Sequence, residues 1–263
     1  MPEKSGLLSR YSMNRPILEI NHLTHQFTSG GGIHDVCFQV FPKEFILLAG
    51  PNGCGKTTLI RHLNALLLPS SGDVRLHGKP VTSDIIKTRK AVGMVFQDAD
   101  TQIVGDTVYD EVAFGPENLK MSRAVIQKKV TRTLEQLDLF HLKDRNPATL
   151  SGGEKRRLAI AGIMVMDPEV IVLDEPFANL DHPSSLSLIK TIRRLNHGGQ
   201  TIIMATHDVE EVITWATRML IMDRQGCLAR DGRPGNLLRY LASHGIKEPC
   251  FSRMGYSAPP WQS

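Results

Sequence analysis

The chain has 263 residues, 41% hydrophobic and 22% charged, with a formal net charge of +4. That length carries one large or two modest domains with a proper core, and the composition excludes a disordered or fibrous chain. The basic excess is too mild to argue for nucleic acid or anionic lipid, and no run approaches the roughly 18 apolar residues of a membrane span.

Residues 1–15 carry basic side chains but no apolar stretch, so they read as a loose leader and not as a secretory signal. The four cysteines, Cys37, Cys54, Cys227 and Cys250, show no CxxC pairing and suggest a reducing compartment. From Pro16 the chain alternates in the strand manner through "ILEINHLTHQF" and "IHDVCFQV", broken by the turn signal "TSGGG". "EFILLAG" is an apolar strand that runs into a glycine loop, and "KTTLIRHLNALLL" continues as a helix closed by "PSSG". "AVGMVFQ" is another buried strand. Residues 98–167 then lack strand signals and hold two helical patterns, at "RAVIQKKVTRTLEQLDLF" and "SGGEKRRLAIAGIMVM". The first places Ile126, Val130, Leu134 and Leu137 on one face. Strands return with "EVIVLDEP", "TIIMATH" and "RMLIMD", a helix at "SSLSLIKTIRRLN" separating the first two. This alternation predicts an α/β fold with a mainly parallel sheet wrapped by helices, and a helical insertion near 98–167. The segment 246–263, rich in Pro and Ser, reads as a loose tail.

Chemistry is written at two places. "GPNGCGKTT" (Gly50, Pro51, Asn52, Gly53, Cys54, Gly55, Lys56, Thr57, Thr58) fits G-x-x-x-x-G-K-[ST] at every position. Glycines let backbone N–H groups turn toward phosphate, Lys56 reaches the β- and γ-phosphates, and Thr57 offers a hydroxyl to Mg²⁺. A glycine-rich turn with an incidental lysine is the bland alternative. "EVIVLDEP" weakens it: a buried strand delivers Asp174 for the metal, and Glu175 follows as a general base for water. Cys54, at a helix start in an electropositive loop, is either a thiol of lowered pKa or a small residue that fills the loop.

With these motifs the chain resembles the ATP-binding-cassette ATPases over about residues 16–240. Gln97 in "VFQD", "LSGGE" at 150–154, "IVLDEP" at 171–176, "NLD" at 179–181 and "THD" at 206–208 follow in that family's order. The resemblance implies a phosphate-loop NTPase core, an N-terminal antiparallel β subdomain and an inserted helical subdomain, all within 16–245. It implies ATP and Mg²⁺ as ligands, with Glu175, His207 and Gln97 catalytic and Thr57, Asp174 and Gln97 on the metal. It also explains a second phosphate-binding stretch in one chain: in this family two ATPase domains pair head to tail. Ser151, Gly152 and Gly153 then cap the nucleotide of the other subunit, and Asp181 lies at the seam. Phe27 stacks on adenine in the resembling proteins, with core packing as the alternative. Phe177 stands where many members have a small hydroxyl residue, and Asn179 where the vitamin- and metal-importing branch usually has glycine.

The segment "DADTQIVGDTVYDEVAFGPENL" after Gln97 resembles the energy-coupling-factor importers of cobalt, nickel, biotin and other vitamins. The expectation is an ATPase at the cytoplasmic face of the cell membrane, peripheral, paired with a copy or a paralogue. Its partners would be integral membrane coupling and substrate-binding subunits, with no nucleic acid. Another importer or an exporter ATPase is the alternative, and a soluble cassette ATPase acting on nucleic acid a more distant one. The acids of this segment, Asp98, Asp100, Asp106, Asp110 and Glu111, are expected to be solvated or to face a cationic partner. Asp98, Asp100 and Asp106 would rim a docking groove floored by Val108 and Phe114.

Overall fold

The computed structural model describes residues 15–254; positions 1–14 of the leader expected at 1–15 and positions 255–263 of the tail lie outside the described residues. Strands β1 (Leu18–Gln26) and β2 (Gly32–Val40) form an antiparallel pair around the glycine turn, with Gly30 and Gly31 at φ 89° and 77°. The apolar β3 (Phe45–Ala49) leads through the phosphate-loop sequence into helix α1 (Lys56–Leu63). That helix stops well before the Leu68 expected from the apolar run, because Ala65 takes a left-handed φ of 55° and turns the chain. Then come β4 (Ser71–Leu76), β5 (Lys79–Pro80), α2 (Ile85–Ala91) and β6 (Val92–Val95). Helices α3 (Val108–Asn118), α4 (Arg123–Gln136) and α5 (Gly152–Met164) fill the stretch before β7 (Val170–Asp174). Helix α6 (His182–His197), β8 (Thr201–Thr206), β9 (Arg218–Met222), β10 (Leu228–Gly232), α7 (Pro234–Leu237) and α8 (Cys250–Arg253) follow.

Two sheets result. The antiparallel one has the order β2-β1-β4-β5. The larger has the order β10-β9-β3-β8-β7-β6, parallel throughout except for β10. Side chains alternate across a strand, and β3 uses both faces: Ile46 and Leu48 join a core shared with the antiparallel sheet. Phe45, Leu47 and Ala49 join a core shared with the helices, where Ile126, Val130, Leu134 and Leu137 are also buried. The α4 face read from the periodicity is therefore the buried one.

The tail reading needs correction over 246–254. Ile246 and Phe251 are 3% and 2% exposed in the main core. The backbone N–H of Cys250 donates to Glu210 Oε2 at 2.8 Å. Two apolar anchors outweigh the Pro and Ser content that suggested looseness.

Candidate active site

The phosphate-loop segment bends as its glycines permit. Gly53 and Gly55 have φ of 79° and 98°, a region that L side chains rarely adopt. A Cβ at Gly55 would also meet Ile33 Cγ2 at 2.5 Å. The loop wraps one side of a cavity of about 380 Å³. Asn52, Gly53, Gly55, Lys56, Thr57 and Thr58 line it from the loop and α1; Gln97, Glu175 and His207 close it from behind β6, β7 and β8.

Within this cavity the functional groups are tied to one another. Lys56 Nζ donates to the carbonyls of Gly50 at 2.8 Å and Pro51 at 3.2 Å, and lies 3.5 Å from Glu175 Oε1. Thr57 Oγ1 donates to Asp174 Oδ2 at 2.9 Å. Burial pushes the Asp174 carboxyl up from its usual range, against the hydrogen bond from Thr57. A cation beside it would reverse that cost, since a buried carboxylate needs a partner. Glu175 is held with a left-handed φ of 43°, and its N–H donates to the Ala205 carbonyl at 2.8 Å. Strain of that kind persists only where surroundings over-determine it.

Other residues singled out in the sequence lie elsewhere. Phe27 is 42% exposed, its ring edge-on to His25 with centroids 4.5 Å apart, so core packing is excluded. Ser151 caps α5 in a box with Glu154: the Glu154 N–H donates to Ser151 Oγ at 3.3 Å, and the Ser151 N–H to Glu154 Oε2 at 2.7 Å. Hydrogen bonds from the Ser151 N–H and then its hydroxyl hold the Glu154 carboxyl low. Neither Ser151, Gly152 nor Gly153 lines the cavity of its own chain. Asp181 caps α6, accepting from the Ser184 N–H at 3.1 Å. The departure at Asn179 also has a physical reason. Its φ is 62°, where glycine is the default and asparagine the tolerated substitute.

One open reading is decided, and two expectations change. Cys54 is 2% exposed, and burial raises its thiol pKa, outweighing the attraction of Lys56. It fills the loop as a small residue. Glu111 faces inward, not toward solvent or a partner: it is 8% exposed and accepts the N–H groups of Val104 at 2.7 Å and Gly105 at 2.8 Å. Val108 is fully buried in the main core, so it cannot floor a groove, whereas Phe114 is 53% exposed. Among the remaining acids Asp98 caps the Asp100 N–H at 3.0 Å, and Asp100 pairs with Lys155 at 2.6 Å. Asp106 is exposed.

One residue went unnoticed in the sequence. Arg156, in the basic run after the signature glycines, is 4% exposed. Its Nη1 donates to the Phe96 carbonyl at 2.8 Å and its Nη2 to that of Ala178 at 3.5 Å. It thus joins α5 to the residue before Gln97 and to the loop after Glu175. Its place on an otherwise apolar helix face was the available signal.

Comparison with known proteins agrees with this geometry. The family described as "ABC transporter" matches residues 33–178. A putative ABC transporter ATP-binding protein of Halobacterium salinarum is 40% identical over 233 residues, 89% of this chain and 100% of the relative. An energy-coupling factor transporter ATP-binding protein of Methanospirillum hungatei is 41% identical over 223 residues, 83% of this chain. The match spans only 56% of that longer relative. Among solved structures, cbiO1 from Clostridium perfringens, part of the ABC transporter complex cbiONQ, superposes with a TM-score of 0.78 at 33% identity. That superposition covers 91% of this chain and 97% of the other. With the phosphate loop, Glu175 just after β7 and His207 just after β8 lining one cavity, and Asp174 at the end of β7 bonded to Thr57, the chain belongs to the ABC transporter family as an ATP-binding, ATP-hydrolysing member.

Proposed function

We propose that the chain powers an energy-coupling-factor-type importer of a metal ion or vitamin. The observation that carries this reading is the convergence of Lys56, Gln97, Glu175 and His207 on one cavity. The importer branch is supported by the likeness to the Methanospirillum hungatei protein and to cbiO1.

In this reading the nine residues Gly50–Thr58 cradle the phosphates of ATP, and Phe27 stacks on adenine. Lys56 exchanges its carbonyl partners for the β- and γ-phosphates. Thr57 and Asp174, with Gln97, would hold Mg²⁺, and their oxygen donors are the hard set that this ion selects. When bound, Mg²⁺ neutralises charge on the phosphates. Glu175 accepts the proton of the attacking water, and His207 keeps its carboxylate aimed into the cavity and reaches the γ-phosphate. Ser151, Gly152 and Gly153 lie at a helix start whose first two residues are exposed, suited to capping the γ-phosphate held by a second subunit. Asp181 lies at that seam. The working unit is thus a homodimer, or a heterodimer with a paralogue, bound at the cytoplasmic face of the membrane to integral coupling and substrate-binding subunits. Among the described residues no helix is long and apolar enough to cross a membrane. Val104 and Phe114, both exposed apolar residues, offer the surface for those subunits.

Co-expression with candidate membrane subunits and uptake into vesicles tests the proposal. ATP-dependent uptake that disappears in Glu175→Gln is expected. Hydrolysis stimulated by nucleic acid, with no membrane association, would overturn it.

A further inference from the structure

Strands β1 and β2 carry two consecutive irregularities on facing chains. Between the pairs Ile20↔Phe38 and Leu23↔Val36, β1 has an extra residue opposite Cys37. Between Leu23↔Val36 and His25↔Ile33, the extra residue is on β2. His22 and Asp35 occupy these bulges, both left-handed, at φ 47° and 50°. Bulges re-aim side chains, and here they bring His22, Asp35 and Cys37 to one point of the surface, with their ligand atoms all within 4.8 Å.

The arrangement is built from several sides. His22 Nδ1 is 2.7 Å from Asp35 Oδ1, and the His22 N–H donates to Cys37 Sγ at 3.1 Å. The Asp35 N–H donates to Thr24 Oγ1 at 3.0 Å. On the other side Gly72 of β4 comes so close that a Cβ there would meet the His22 carbonyl at 2.2 Å. An exposed His–Asp pair returns little stability, yet two non-glycine residues are held in a costly conformation to make it.

We propose that His22, Asp35 and Cys37 form a binding site for a divalent transition-metal ion of the Zn²⁺ class. One imidazole nitrogen, one carboxylate and one thiolate are a mixed donor set that favours Zn²⁺ and its neighbours over Mg²⁺ or Ca²⁺. Three protein ligands leave a fourth position open to water. The ion takes the position between Nδ1 and Oδ1 now bridged by a hydrogen bond; the imidazole gives up its Nδ1 proton and carries its proton on Nε2 instead, exchanged through solvent, and the thiol proton leaves to solvent on binding. The His22 N–H to Cys37 Sγ contact supplies the outer-shell donor that steadies a bound thiolate.

The test is titration of the reduced full chain with Co²⁺, whose thiolate charge-transfer band reports sulfur ligation. A Mg²⁺ site made of oxygens gives no such band. One equivalent is expected to produce the band, and Zn²⁺ to displace it. Cys37→Ser should abolish it, Cys250→Ser should leave it intact, and His22→Gln should raise the Co²⁺ needed by more than about tenfold, since even outer-shell losses cost 10–100-fold. Basal ATP hydrolysis, unchanged in all three variants, reports that they are folded. A wild-type chain without the band, or a band that survives Cys37→Ser, overturns the assignment. The first outcome needs no variant at all.

Discussion

Glu175 Oε2 lies 3.0 Å from His207 Nδ1, while Oε1 of the same carboxylate lies 3.5 Å from Lys56 Nζ. The acid is thus suspended between the residue that follows β8 and the lysine that begins α1. Glu175→Gln keeps the shape and removes the basicity. Hydrolysis should fall by about 10²-fold or more, the contribution of a positioned base, while nucleotide binding persists. Single-turnover rates beside equilibrium nucleotide binding check this. A variant that hydrolyses near the wild-type rate would remove Glu175 from the role of base.

The capping of one nucleotide by another chain predicts complementation. Lys56→Ala should lose nucleotide, and Ser151→Arg should bind it without turnover. Mixed, the two variants can form one intact composite site per dimer and should recover part of the activity. Turnover in a Ser151→Arg chain tethered as a monomer would contradict the shared site.

Arg156 predicts a stability effect away from the reacting atoms. Arg156→Ala strands the carbonyls of Phe96 and Ala178 beneath α5, and hydrogen bonds to a charged group contribute about 1.5–3 kcal/mol. A fall of that order is expected in chemical denaturation. Because Phe96 precedes Gln97, the apparent affinity for Mg²⁺ should weaken as well. Unchanged denaturation would show that the buried guanidinium is no net support.

Alkylation separates the two readings of Cys54. Its thiol is buried and raised, whereas Cys37 and Cys250 are exposed. In the native chain the exposed pair should react first, with Cys54 modified only on opening of the phosphate loop. Peptide mapping after brief labelling gives the order, and early loss of Cys54 would restore the reactive-thiol reading.

His62 gives a pH dependence. It is 1% exposed on α1, and burial lowers its pKa below the ordinary 6.5, against a hydrogen bond to the Thr58 carbonyl. The unfolded chain therefore binds this proton more readily than the folded one. The His62 contribution is complete above about pH 6.5 and is lost as pH falls from there toward the folded value. Melting temperature should drop on acidification through this window, less steeply in His62→Leu. Parallel slopes for both proteins would assign the loss to other groups.

The nucleotide cradle was legible because its chemistry leaves few alternatives: only glycine takes the backbone of Gly53 and Gly55 without strain, and only a buried strand delivers Asp174. Glu111 was not legible. Charge counting sees an acid among acids, but cannot see that the turn before α3 leaves the N–H groups of Val104 and Gly105 needing an acceptor. Phe251 failed for a similar reason, since one ring in a segment read from its Pro and Ser content carries no periodicity from which burial can be read.

Parallel pairing sets Asp174 opposite Ala205 and Leu173 opposite Met204. Glu175 and His207 are therefore indexed against each other by a ladder of backbone bonds as well as by the contact of their side chains. A single-residue deletion within β8 would turn the following side chains to the other face of the sheet. The imidazole would leave the cavity although every residue of "THD" remained. The spacing between a motif and its strand is accordingly as much a part of this active site as the motif, and insertions here belong in the loops beyond the strand ends.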